Sequence, residues 1–269
     1  MSPFSWPRHP IPFATTRRRL LAGFAAIAAS PTRAHAQSGT TIAAAADLRH
    51  ALDAIVANFE KVNGANVRVT YGSSGNLARQ IAQGAPFELF LAADEVYAER
   101  LVAEGHAEGP GSVYGVGRLA VIARRDGRIE AERGLIAISE AIAGHALSRF
   151  AIANPEHAPY GARAREALEK SGLWGPMQSG LVLAENVAQA AQYVVTGAAE
   201  AGITALPLVK TGPAATALRF SVVPAELHTR LRQRMVLTKR ASPAARALYA
   251  FIASPDAQVI LGASGFEQP

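Results

Sequence analysis

Between Thr70 and Glu95 the chain reads TYGSSGNLARQIAQGAPFELFLAADE, and its chemistry lies in the small residues. An extended run, Val67 to Tyr71, stops at Gly72-Ser73-Ser74-Gly75, and a helical pattern from Asn76 to Gln83 begins at once. The first N–H groups of a helix have no intrahelical partner, and the helix dipole places partial positive charge at the same end. A loop of glycine and serine at such a point can direct several donors at one anion. No charged residue sits in the loop itself, so the anion would be held by neutral donors.

Three further strand-to-helix junctions share this character. They are Ala43-Ala44-Ala45-Ala46-Asp47-Leu48, the segment Pro155 to Gly161 with Tyr160 just before a helix, and Ala184-Glu185-Asn186-Val187. Taken singly, Ser, Gly and Asn at helix starts are ordinary caps and turns; the joint pattern carries the reading. A dianion leaving water loses a large solvation energy. A ring of N–H and O–H donors at helix starts replaces that shell and selects by number and size. Two junctions lie early in the chain and two in its middle, so two lobes would bring them face to face across a cleft.

The same residues argue against catalysis. Gly72 to Asn76 departs from the G-x-S-x-G nucleophile turn at Asn76, and no S-x-x-K follows either serine. There is no phosphate-binding G-x-x-x-x-G-K-S/T loop, and Gly115-Val116-Gly117 lacks the third glycine of a dinucleotide fingerprint. The seven histidines have no ligand-like spacing, so no residue is expected to hold a metal cation directly. His157 and Glu156 read as solvated or turn-shaping. A non-enzymatic binding protein with no cofactor is expected.

The elements that must position these junctions alternate between strand and helix. Thr41 to Ala45, Val67 to Tyr71 and Phe87 to Ala92 read as strands, and Leu48 to Lys61 as an amphipathic helix with Asp47 as its N-cap. Asp94 caps the next helix, Val116 to Ala123 reads as one strand, and Phe150 to Ala153 as another. Asn186 caps a helix through Val195, and Arg232 to Thr238 is a late strand before two closing helices. This alternation predicts an α/β fold with mostly parallel sheets flanked by helices, which bind ligands beyond the carboxyl ends of strands.

Residues 1–36 are expected to be a signal peptide rather than part of the fold. Thr16-Arg17-Arg18-Arg19-Leu20-Leu21 precedes the apolar run Ala22 to Ala29, and Ala34-His35-Ala36 is an A-x-A cleavage pattern. The paired arginines suggest the twin-arginine route, with cleavage after Ala36 and delivery to the periplasm. Five of the 27 Lys and Arg residues and none of the 21 acids fall in this leader, leaving 22 bases against 21 acids. The basic excess that a nucleic-acid surface needs is therefore missing from the mature part. The chain has no cysteine, which excludes disulfides, thiolate metal sites and a lipidated Cys at the cleavage point.

The strings TIAAAADL, YGSSGNLARQIAQGAPFELFLAADE and ANPEHAPYG, with the Ala-Glu-Asn-Val junction, resemble the periplasmic molybdate-binding proteins of ABC importers, over nearly the whole mature chain. The resemblance implies a two-lobe periplasmic-binding-protein fold of type II, with the ligand cleft between lobes. Residues 40–118 plus 225–269 would form one lobe and 119–224 the other. It further implies a monomer that closes on molybdate or tungstate and hands it to an importer permease at the inner membrane. Another oxyanion such as phosphate or sulfate, or an exported non-transport protein reusing the fold, are the alternatives. Carried over residue by residue, the oxyanion ligands fall on Ser74 through its hydroxyl and amide, on Tyr160 and Val187 through backbone N–H, and on Asp47 with Ala46 beside it. Two positions depart from the family pattern: Asp47 stands where many members have Ser, and Ala205 where some have a ligating Tyr. Three readings of Asp47 are open. It caps its own helix and offers only its amide; it is protonated and donates; or it accepts the proton of a protonated oxyanion.

Overall fold

The computed structural model describes residues 39–269; the leader and its cleavage point lie outside them. In chain order the strands are β1 (Thr40–Ala45), β2 (Val67–Gly72), β3 (Leu89–Ala92), β4 (Ala107–Gly117), β5 (Leu119–Arg124), β6 (Phe150–Ala153), β7 (Leu181–Ala184), β8 (Ala201–Ala205), β9 (Leu218–Val222) and β10 (Leu231–Thr238). The helices are α1 (Arg49–Asn63), α2 (Ser74–Ala82), α3 (Glu95–Ala103), α4 (Leu135–Ala143), α5 (Pro159–Lys170), α6 (Trp174–Met177), α7 (Val187–Val195), α8 (Leu206–Lys210), α9 (Ala214–Ala217), α10 (Pro243–Ile252) and α11 (Pro255–Ser264).

These strands form two five-stranded sheets, ordered β2-β1-β3-β10-β4 and β7-β6-β8-β5-β9. In each sheet four strands run in one direction and one runs against them, the mostly parallel arrangement that the alternation of elements predicted. In the first, β1 runs parallel to β2 and β3, while β10 is antiparallel to both β3 and β4. In the second, β6 is parallel to β7 and β8, while β5 is antiparallel to β8 and β9. The antiparallel members adjoin the passages between sheets. β4 leads into β5 through Arg118 alone, and β9 returns to β10 through residues 223–230. What reads in sequence as one strand, Val116 to Ala123, is therefore the end of one sheet and the start of the other.

Successive side chains of a strand point to opposite faces, and both sheets are covered on both faces. Ile42 and Ala44 of β1 and Leu89 and Leu91 of β3 pack with Leu52, Ile55 and Phe59 of α1 and with Leu248 and Leu261 of the closing helices. Ala43, Phe90 and Ala92 face the other way, onto Leu77 and Ile81 of α2 and Leu101 of α3. In the second sheet Ala120, Ile122 and Ala151 meet Ala190, Ala191 and Val194 of α7, whereas Val121, Phe150 and Ile152 pack on Ile138 of α4 and Leu168 of α5. Each fully buried aliphatic or aromatic side chain is worth about 1.5–3 kcal/mol, and two such cores hold the strand ends in register. No helix among the described residues is long and apolar enough to cross a membrane.

Candidate functional site

The parallel halves of the two sheets aim their carboxyl ends at one place. β1, β2, β6 and β7 each run directly or through a short loop into a helical start, and the residues there line one pocket. Ala46, Asp47, Ser74, Tyr160 and Val187 all border it, with Gly72, Ser73, Ala93, Ala158, Pro159 and Asn186. Its cavity is about 10 Å³, far below the 300–1,000 Å³ usual for drug-sized ligands, and no Lys, Arg or His lines it.

The local sequence decides which donors remain free. In α7 the Asn186 side chain caps the N–H groups of Ala188 and Gln189, both at 3.1 Å, leaving that of Val187 in the first turn. Thr204 Oγ1 donates to Val187 O at 2.9 Å and ties this turn to β8. In α5 the first residue is Pro159, which has no N–H, so the N–H of Tyr160 is the first the helix offers. Tyr160 thus sits inside the first turn rather than before it. In α2 the N–H of Gly75 is used by His157 O at 2.9 Å, and that of Leu77 by Ser73 O at 3.0 Å. Ser74 Oγ accepts the N–H of Ala93 at 2.9 Å. The hydroxyl is buried and oriented by that bond, and its own hydrogen is left to donate.

Asp47 does not cap a helix. Residues Ala46–Leu48 form a short 3-10 turn, Leu48 stands at the N-cap of α1, and neither position makes a side-chain cap hydrogen bond. The Asp47 side chain is buried and turned into a polar cluster instead. Its Oδ2 accepts from Tyr160 Oη at 3.0 Å and from Gln233 Nε2 at 2.6 Å. Gln233 Nε2 also lies 3.1 Å from Tyr160 Oη, and Tyr114 Oη donates to Gln233 Oε1 at 2.7 Å. Burial raises the Asp47 carboxyl to about 6, against the partial relief of Gln233, Tyr160 and the N–H groups of Asp47 and Leu48. Burial, and then the Asp47 charge, push both tyrosines well above their ordinary value. Both tyrosines are therefore neutral donors.

Gln233 and Tyr114 escaped the sequence reading, although one signal was available. Strand alternation places Gln233 on the buried face between Leu231 and Met235, and a lone amide there implies a buried polar partner. His157, read as solvated or turn-shaping, is also more than that. Its Nδ1 lies 3.0 Å from Ser73 Oγ, and its Nε2 is 3.7 Å from Glu185 Oε2. Asn76 Nδ2 donates to Glu185 Oε1. These contacts join the segments carrying the first and second sheets, so the two lobes are closed on each other around the pocket.

Comparison with known proteins agrees with this geometry. Residues 40–267 match the family model for bacterial extracellular solute-binding proteins. The molybdate-binding protein ModA of Azotobacter vinelandii is 36% identical over 228 residues, covering 84% of this chain and 88% of the relative. ModA of Rhodobacter capsulatus is 34% identical, over 86% and 89% of the two chains. The solved periplasmic molybdate-binding protein of A. vinelandii superposes with a TM-score of 0.76 at 30% identity, covering 86% of this chain and 99% of that one. Two α/β lobes of this topology, closed on a pocket of strand-end donors, together with that family match place the chain among the bacterial extracellular solute-binding proteins, which bind their solutes rather than transform them.

Proposed function

We propose that the chain is a periplasmic binding protein that captures molybdate, and tungstate with it, for an ABC importer. The observation that carries this reading is the ring of neutral donors. The Ser74 hydroxyl and the first free N–H groups at Tyr160 and Val187 converge from two lobes on a pocket without a cation. Such a set suits a small tetrahedral dianion. The named ModA relatives favour molybdate over the phosphate and sulfate alternatives. Ala46 and Asp47 complete the ring at the end of β1. Tungstate matches molybdate in size and charge, so donors that select by number and distance treat the two alike.

In this role the mature chain begins after Ala36, works as a monomer, and presents its closed form to a membrane permease. Calorimetry of the mature protein with molybdate, tungstate, sulfate and phosphate tests the reading. Tight binding of the first two with no heat from sulfate is the expected result. A preference for sulfate or phosphate reassigns the solute, and silence to all four removes the oxyanion reading.

A further inference from the structure

The Asp47 carboxylate has one oxygen satisfied and one not. Oδ2 accepts both side-chain hydrogen bonds, from Tyr160 and Gln233, while Oδ1 is shielded from solvent and has no hydrogen-bond partner, the N–H groups of Asp47 and Leu48 lying close to the carboxyl but outside hydrogen-bond geometry to it. The side chain is 1% exposed and borders the same pocket as Ser74, Tyr160 and Val187. Its titratable neighbours are Tyr160 from α5 and Tyr114 from β4, both neutral. Helices α1, α7 and α8 pack on the 46–48 turn. The charged or titratable residues on these helices are Arg49, His50, Asp53, Glu60 and Lys61 of α1, Tyr193 of α7 and Lys210 of α8. None of these is a hydrogen-bond or ion-pair partner of Asp47, and Arg49 stacks on the Tyr71 ring at 4.5 Å. Nothing cationic therefore stands between an ionised Oδ1 and a dianion in the pocket. Repulsion between like charges in a poorly solvated site is strong. One proton between two oxygens converts it into a short, charge-assisted hydrogen bond.

Resting on the oxyanion reading above, we propose that capture is proton-linked: with each dianion the site takes up one proton, held between Asp47 Oδ1 and a ligand oxygen. The proton comes from the solvent, no bond within the ligand breaks, and release returns the proton to solvent. Burial already raises the carboxyl to about 6, and a neighbouring dianion raises it further. Asp47 is thereby a specificity determinant. The N–H ring selects by size, whereas the shared proton favours a basic oxyanion over the conjugate base of a strong acid.

The test is titration calorimetry of the mature protein with sodium molybdate at about pH 8, in two buffers of different ionisation enthalpy. Uptake of about one proton per anion is expected, with Kd rising roughly tenfold per pH unit above neutrality. In Asp47→Asn, whose amide keeps the shape without a titrating proton, uptake should vanish and the pH slope should flatten while molybdate still binds. Molybdate binding to the wild type without proton uptake overturns the inference and leaves the oxyanion reading standing. Proton uptake that persists in the Asn variant overturns the assignment to Asp47. Absence of binding by molybdate, tungstate, sulfate and phosphate alike overturns both the reading and the inference. Should the Asn variant fail to fold in a thermal melt, Asp47→Ser takes its place in the same two-buffer comparison, with loss of proton uptake expected and persistent uptake overturning the assignment to Asp47.

Discussion

At the scale of single residues, Ser74 and Asp47 make opposite contributions to the pocket. Ser74 Oγ accepts the Ala93 N–H and keeps its hydrogen free, so toward an anion it is a donor. Ser74→Ala should weaken molybdate binding by about 1.5–3 kcal/mol, the worth of a hydrogen bond to a charged group, measured as a change in Kd. Asp47 carries a cost instead. Its pKa is raised from 3.8 to about 6 in the folded protein, so between those values the folded state binds more protons than the unfolded one. Stability therefore falls as pH rises through this window, by up to about 3 kcal/mol above it. Asp47→Asn should raise the melting temperature of the ligand-free protein near pH 8 and change it little near pH 4. Equal shifts at both pH values would show that the carboxylate is not desolvated. That Asp47 was the exceptional residue could be read from sequence, because an acid stood among small neutral residues at a helix start. Its role could not. The cap reading assumed a helix beginning directly after it, whereas the partners that claim Asp47, Tyr160 and Gln233, lie 113 and 186 residues away along the chain.

The junctions are the natural unit at the next scale. Asn186 and Asp94 cap their helices as their types and positions foretell, accepting from Ala188 and Gln189 and from Val96 respectively. The Gly75 position is tighter than its role in a turn requires. A Cβ there would sit 2.6 Å from His157 O, in the opposing lobe, and only glycine lets the two loops meet. Gly75→Ala should hinder closure, weakening molybdate binding and leaving the radius of gyration unchanged when ligand is added in small-angle scattering. Normal closure in that variant would show that the loops can part without loss. Other elements were illegible for local reasons. β4 contains Gly109-Pro110-Gly111, with both glycines at positive φ and register shifts against β10; such residues usually mark the end of a strand rather than a bulge within one. α4 begins Leu135-Ile136-Ala137-Ile138, an apolar run that periodicity alone cannot separate from a strand.

Across the whole molecule, hinge and pocket are mechanically joined. Arg118, the single residue between β4 and β5, reaches Val223 O at 3.2 Å beside the second crossover and pairs with Glu267 at 2.5 Å near the C-terminus. Its neighbour Gly117 has no room for a side chain, since a Cβ would lie 2.6 Å from Gln233 Nε2 and closer still to Tyr160 Oη. If the lobes open by rotation at this crossover, Tyr160 would part from Asp47 and Gln233 and water would reach the carboxylate, so an ionised Asp47 would favour the open form. The contact between Asn76 and Glu185 lends itself to a practical use. It spans the mouth of the cleft on two partly exposed surfaces, and the chain contains no native thiol to compete for a maleimide dye. Cysteines placed near those two positions, clear of the pocket, would carry a donor and an acceptor fluorophore without background labelling, and their energy transfer would report dissolved oxyanion directly as the lobes meet.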